Sequence, residues 1–205
     1  MKTLILTFGL ILISLNAFPQ ENSDLQNPKN QFGFYCYPGF VKMIGYKEYE
    51  GTVSIKVEGT VAYGFKYLRS ISSNLSIDAG VSYAEYSEIN HFVDETGNID
   101  DYLNESFRTF TFPIILKKYY NNNFYLGAGT IIDYTLSRRN TYVLTDTQSG
   151  FGISISAGKE IFIKNFSIEI APKIDLHSVI PFSSDLFQQK LLVLGVKLGL
   201  NYKIN

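Results

Sequence analysis

The chain has 205 residues, of which 45% are hydrophobic and 18% charged, and its net charge is -1. This length suits one domain with a sizeable core. Because binding to phosphate backbones needs concentrated positive charge, the balanced charge without a basic run excludes a nucleic-acid partner. The chain carries 15 Tyr and 16 Phe but no Trp. Aromatic and β-branched residues favour strands, and the composition therefore predicts an all-β protein.

The first residues, MKTLILTFGLILISLNAFPQ, have the pattern of a secretory signal peptide. Lys2 supplies the charged start, and residues 4–15 form the apolar segment. This segment is too short to span a bilayer, which takes roughly 20 residues of helix. We expect residues 1–20 to be a signal peptide and residues 21–205 to form the exported domain. Cys36 is the only cysteine, which excludes a disulfide within the chain.

Bulky apolar residues alternate with small or charged residues in eight segments, which is the pattern of β-strands. The predicted strands are 32–43, 53–68, 75–84, 107–119, 124–136, 151–162, 166–177 and 192–204. Their connections alternate in length. The connections 70–74, 121–123 and 164–165 are short, whereas 44–52, 88–105, 137–149 and 178–189 are long and polar.

Short turns at one end and long loops at the other are typical of outer-membrane β-barrels. We therefore predict an all-β fold, an eight-stranded antiparallel up-and-down transmembrane β-barrel, with short turns and both termini in the periplasm. Soluble barrels also alternate, but roughly forty bulky apolar side chains cannot fit inside eight strands. The apolar face is thus predicted to face lipid. A soluble secreted β-sandwich is the alternative fold.

The opposite face carries charges of both signs, which predicts an interior plugged by salt bridges rather than an open pore. The charges assigned to the interior are Lys56, Lys66, Lys117, Lys173, Lys197, Lys203, Glu58, Asp78, Asp133, Glu160, Glu169 and Asp175. Aromatic residues at the short-turn end are predicted to form a girdle at the membrane interface. They are Phe32, Phe65, Tyr67, Tyr119, Tyr120, Phe124, Phe162, Phe166 and Tyr202.

One hairpin carries a family resemblance. In FRTFTFPIILKKYYNNNFYLGAGTIIDYTL, an alternating strand with central Pro113 precedes a short turn and the strand Tyr-Leu-Gly-Ala-Gly at 125–129. The stretch resembles small outer-membrane barrels of the PorT-like group, which are eight-stranded like OmpX-type and OmpA-type barrels. The resemblance implies an integral outer-membrane protein, in some members linked to secretion, and brings no catalytic residues. Such barrels usually end on an aromatic residue, and here Tyr202 is expected to replace the unusual terminal Asn205.

The residues offer three weak chemical patterns. Asp175 and His177, with Ser178, Ser183 and Ser184 nearby and His91 elsewhere, could be drawn as a hydrolase site, but a lumen histidine paired with a carboxylate explains them as well. The acidic segment 94–101 lacks the spacing of a calcium loop. Arg138 and Arg139 could meet lipopolysaccharide phosphates at the rim. We assign no catalytic, cofactor-binding or metal-binding residue.

We therefore expect a non-enzymatic outer-membrane protein with a structural, interaction or secretion-accessory role that works through its long outer loops. The expected partners are outer-membrane lipid, lipopolysaccharide and other envelope proteins. A narrow porin-like channel for small solutes and a lipid-modifying hydrolase are the alternatives.

Overall fold

Eight strands pair in chain order and close into a barrel. A computed structural model describes residues 29–44, 53–93, 99–138, 147–182 and 189–204, and of these only the backbone at 53–56, 58, 88, 90–93, 99–105, 137 and 138. The signal-peptide prediction for residues 1–20 and the terminal Asn205 lie outside this part of the chain. No helix within these ranges is long and apolar enough to cross a membrane.

The strands are β1 (Asn30–Ile44), β2 (Val53–Ser72), β3 (Leu75–Val93), β4 (Ile99–Tyr119), β5 (Phe124–Arg138), β6 (Gly150–Ile163), β7 (Phe166–Pro181) and β8 (Lys190–Ile204). Each pairs antiparallel with its neighbours, and β8 pairs with β1. The predicted fold class is confirmed. Residues 73–74, the 3-10 turn Asn121–Asn123 and residues 164–165 connect strands at what we call the turn end. The opposite end is the loop end.

Two predicted loops were too long. The prediction made 88–105 a loop, but β3 continues to Val93 and β4 begins at Ile99, with Val93 opposite Ile99 in the ladder. The pairing continues because backbone hydrogen bonds between strands do not require apolar side chains. Strand β7 likewise continues to Pro181, beyond the predicted boundary at 178.

The seam between the first and last strands is formed as predicted. Phe32 lies opposite Tyr202, and Phe34 lies opposite Leu200. Further along the seam two glycines, Gly39 and Gly195, face each other. Closing the sheet in this way leaves no unpaired edge, which is the arrangement that a bilayer interior requires of β-structure.

The outer face of the barrel is apolar. Large side chains such as Phe40, Phe65, Ile155 and Ile180 are more than half exposed. Between them along the strands, small and charged residues point inward and are buried. Monomeric soluble proteins rarely expose apolar surface on this scale. The alternation therefore faces outward, as the volume of the bulky side chains predicted.

One strand changes faces at a β-bulge. The pairs Val57–Glu88 and Thr60–Tyr86 differ in register by one residue, so Glu58 and Gly59 together lie opposite Ser87. The extra residue reverses the alternation. Val57, which the pattern had placed on the outer face, is buried inside the barrel.

The aromatic girdle at the turn end is largely present. On the outer surface Phe32 packs on Tyr67 with ring centroids 4.9 Å apart, and Phe166 packs on Tyr202 at 5.2 Å. Two predicted members are wrong. Tyr119 is buried in the interior, and Phe162 lies on the inward-facing side of β6, where its ring centroid is 4.4 Å from Lys203 Nζ.

The glycine pair at the seam gives a test of barrel closure. A Cβ on Gly195 would lie 2.7 Å from Gly39 Cα and 2.8 Å from Tyr37 Cε2, so Gly195→Ala must displace backbone or ring. We expect a loss of about 1–3 kcal/mol in the free energy of unfolding, measured by urea titration in detergent micelles.

Gly59→Ala is the matched control, because a Cβ there meets only Gly39 O, at 3.1 Å. We expect this change to cost less than about 1 kcal/mol. Equal losses in the two variants would contradict the assigned close approach at the seam.

Candidate functional site: the barrel interior

The turn-end half of the interior is filled by charged side chains, which we call the lysine–carboxylate network. Its six members come from six strands and are all buried. They are Lys66, Asp78, Lys117, Glu160, Glu169 and Lys197. The inward alternation of β2, β3, β4, β6, β7 and β8 brings one of these residues from each strand to the same level.

Lys117 lies at the centre of the network. Its Nζ is 2.8 Å from Glu169 Oε1, 3.0 Å from Asp78 Oδ2 and 3.4 Å from Glu160 Oε1. One ammonium group therefore contacts all three carboxylates. An ammonium has three donors, so these contacts match its full donor capacity.

The other two lysines complete the network. Lys66 forms an ion pair with Glu169 and lies 3.9 Å from Asp78. Lys197 Nζ is 3.1 Å from Asp78 Oδ2 and 3.6 Å from Glu169 Oε1. Three lysines thus balance three carboxylates, which removes the net charge that would otherwise be buried.

Tyrosines hold the carboxylates from the remaining directions. The Tyr119 hydroxyl donates a hydrogen bond to Glu160 Oε1 at 2.7 Å, and the Tyr125 hydroxyl donates one to Glu169. The Tyr125 ring also lies under Lys117 Nζ at 4.3 Å, and the Tyr35 ring lies under Lys197 Nζ at 4.7 Å. With Tyr35 on β1 and Tyr125 on β5, every strand of the barrel contributes to the network or its contacts.

A second group of charges occupies the loop-end half. Asp133 Oδ1 accepts a hydrogen bond from Thr111 at 2.7 Å, and Asp133 Oδ2 lies 3.0 Å from His177 Nδ1. Lys173 Nζ donates to Asp175 Oδ2 at 2.6 Å. The carboxylate beside His177 is therefore Asp133, and not Asp175 as the sequence had suggested.

Aromatic and aliphatic side chains fill the space beside these charges. The Tyr37 hydroxyl contacts the carbonyl oxygens of Lys173 and Val193 at 3.0 and 3.1 Å. The Tyr86 ring stacks on Phe107 with centroids 5.0 Å apart. This apolar cluster contains Tyr35, Tyr37, Val57, Ala62, Ala84, Tyr86, Phe107, Leu191 and Val193. The expectation of mostly small residues inside the barrel was therefore wrong.

An irregularity in β7 turns two polar residues inward. The pairs Phe151–Ile180 and Ile153–Leu176 differ in register by two residues, so 177–179 lie opposite Gly152. Ser178 has a φ of 52°, which non-glycine residues adopt at a cost of energy. As a result His177 and Ser178, although adjacent in sequence, are both buried.

Most of the charges predicted to be interior are interior. Nine are buried: Lys66, Asp78, Lys117, Asp133, Glu160, Glu169, Lys173, Asp175 and Lys197. Lys203 is half-buried, and its described contact is the Phe162 ring. The side chains of Lys56 and Glu58 lie outside the described part of the structure.

The chemical patterns of the sequence have a mixed outcome. His177, Asp175 and Ser178 are buried inside the barrel and do not lie on an open rim. The side chains of His91 and Arg138 are not described, and Ser183, Ser184, Arg139 and residues 94–98 lie outside the described ranges. The hydrolase, calcium-loop and lipopolysaccharide interpretations therefore stay predictions at these positions.

The central carboxylate of the network gives a stability test. Glu169→Gln leaves three buried lysines with two carboxylates, and we expect it to lower the free energy of unfolding by about 3–5 kcal/mol. Urea unfolding of the refolded barrel in detergent measures the change. Glu85→Gln is the control, because the exposed Glu85–Arg108 pair at 3.6 Å should contribute less than about 1 kcal/mol.

Adding Lys66→Met to Glu169→Gln removes one of the cations left in excess. We expect the double variant to be more stable than Glu169→Gln alone. A double variant whose loss equals the sum of the two single losses would contradict direct coupling between Lys66 and Glu169.

Comparison with known proteins finds similarity of fold alone. No protein-family model matches the chain, and no curated protein sequence matches it. Among solved structures, the outer membrane protein OprG from Pseudomonas aeruginosa superposes with a TM-score of 0.58 at 14% identity, covering 89% of this chain and 100% of OprG.

Two further structures align less closely. Ail, the attachment invasion locus protein of Yersinia pestis, gives a TM-score of 0.42 at 13% identity, covering 84% of this chain and 97% of Ail. The outer membrane protein AlkL gives 0.39 at 11% identity, covering 91% and 96%. The chain therefore has the fold of small eight-stranded outer-membrane β-barrels.

Proposed function

We propose that the chain is an integral outer-membrane protein whose filled barrel serves as a rigid platform for its loops. The observation that carries this proposal is the pairing of an apolar outer face with an interior occupied by the lysine–carboxylate network. The outer face fits lipid, and the interior leaves the ends of the barrel as the working surfaces.

The proposed orientation places the turn end and both termini in the periplasm and the loop end outside the cell. Short periplasmic turns and longer external loops are the usual arrangement in these barrels. The resemblance to the PorT-like group supports a role in interaction or secretion for the loops. Lipid, lipopolysaccharide and other envelope proteins are the proposed partners.

The channel alternative has no observation in its favour. Lys117 contacts carboxylates on β3, β6 and β7, so the network crosses the interior from one wall to another. Moving an ion through this half would require separating buried ion pairs, each of which costs several kcal/mol to break.

The hydrolase alternative is also disfavoured. His177 is 4% exposed and Ser178 is fully buried, whereas a substrate must reach both a nucleophile and its base. The contacts of His177 with Asp133 and the Tyr86 ring are those of a packed interior histidine. We propose a protein without enzymatic activity.

Membrane fractionation with protease treatment of intact cells tests location and orientation together. We expect the mature chain in detergent-extracted membranes, with cleavage at the loop-end segments near Glu95 and Arg139. Cleavage at Asn122 in intact cells would reverse the orientation. Recovery of the chain in the soluble periplasmic fraction would overturn the proposal.

Planar-bilayer recording tests the filled interior. We expect no stable single-channel conductance from wild-type protein shown to be folded by its resistance to unfolding in detergent. Reproducible conductance from that folded sample would contradict the platform role and restore the channel alternative.

A further inference from the structure

A cavity of about 530 Å³ opens at the turn end, between the β2–β3 turn and the β4–β5 turn. Its outer wall is formed by Lys118, Tyr120 and Phe124, which alternate with inward residues and are exposed on the outer surface. Tyr119, held by its hydrogen bond to Glu160, forms the inner wall. The cavity therefore lies where the apolar outer face meets the polar turns.

Backbone hydrogen bonds hold the two turns in place. Tyr119 N donates to Asn74 O at 2.8 Å, and Tyr120 N donates to Phe124 O at 2.7 Å. Asn122 and Asn123 both have positive φ, a conformation that asparagine tolerates better than most residues. The shape of the cavity is thus fixed by the fold and does not depend on a ligand.

The chemistry of the lining is that of an anion site with an apolar side. The eight lining residues include one cation, Lys118, and no carboxylate. Asn74, Asn121 and Asn123 add side-chain amides that can donate hydrogen bonds. Lys118 Nζ lies 5.8 Å from the Tyr120 ring centroid, and it forms no ion pair with any residue in the described part of the chain.

We propose that this cavity binds the phosphate of an anionic phospholipid headgroup. Lys118 and the asparagine amides contact the phosphate, since ammonium groups and amide N–H groups are common phosphate ligands. The acyl chains lie along outward-facing Leu116 and Leu126, which are exposed directly beyond the cavity on the same face. Tyr120 and Phe124 flank the glycerol region at the level where aromatic residues favour the interface.

This inference rests on the proposed membrane location and extends it to one leaflet. With the turn end in the periplasm, the bound lipid belongs to the periplasmic leaflet. A phosphate could also come from a free anion. The position of the cavity beside exposed leucines favours the lipid, because a free phosphate gains nothing from apolar surface.

Native mass spectrometry of the full mature barrel, released from detergent with added lipid, tests the site. We expect one phosphatidylglycerol to be retained preferentially over phosphatidylcholine. Lys118→Gln, at an exposed position, should lower phosphatidylglycerol retention about tenfold, as expected for loss of one charge-assisted contact. Asn121→Ala should lower it by a smaller factor.

Lys164→Gln is the matched control, because Lys164 is an exposed turn-end lysine in the β6–β7 turn, outside the cavity. We expect it to retain wild-type selectivity. An equal loss in Lys164→Gln, or equal retention of the two lipids by wild-type protein, would overturn the site. Inorganic phosphate that displaces the lipid at equal concentration would assign the cavity to a free anion and overturn the lipid assignment.

The two proposals fail in different ways. A chain that is recovered from membranes yet shows no lipid preference would remove the headgroup site and leave the platform role intact. A chain found in the periplasmic supernatant would remove both.

Discussion

The ion pairs between Lys117 and the three carboxylates around it are the interaction on which the structure depends. Burying six charges is unfavourable unless each one finds partners of opposite sign, and here the partners come from strands that are far apart in sequence. The barrel must therefore have the strand register that brings Asp78, Glu160 and Glu169 to one level. A shift of one residue in any of these strands would turn its charge toward the outer, apolar face.

Much of the barrel could be predicted from the sequence because a closed sheet in lipid allows few solutions. Alternation marks the strands, and the volume of the bulky face assigns it to the outside. The prediction was wrong where the period of two is interrupted. At Glu58–Gly59 and at 177–179 an added residue reverses the facing, and it left Val57 on the wrong side. Bulges depend on pairing with a neighbouring strand, which a single strand pattern does not contain.

The site was predictable in composition but not in pairing. The sequence assigned inward lysines and carboxylates to the interior, and the register decides which of them meet. His177 lies beside Asp133, 44 residues earlier in the chain, because β5, β6 and β7 are adjacent in the barrel. The interior aromatic residues were missed since Tyr35, Tyr37 and Tyr86 sit at inward positions of their strands, where their hydroxyls find polar partners or their rings pack. Strand parity, applied to every aromatic residue, was the signal that could have found them.

The network also constrains the order in which the barrel can assemble. Lys197 on the last strand contacts Asp78 on the third, a separation of 119 residues. This contact cannot form in any hairpin or partial sheet. Until β8 meets β1, the six charged side chains must remain hydrated, so their loss of water coincides with closure of the seam. Insertion and closure are thereby coupled into one late step, and an open, partly inserted sheet has charged side chains that oppose its entry into lipid.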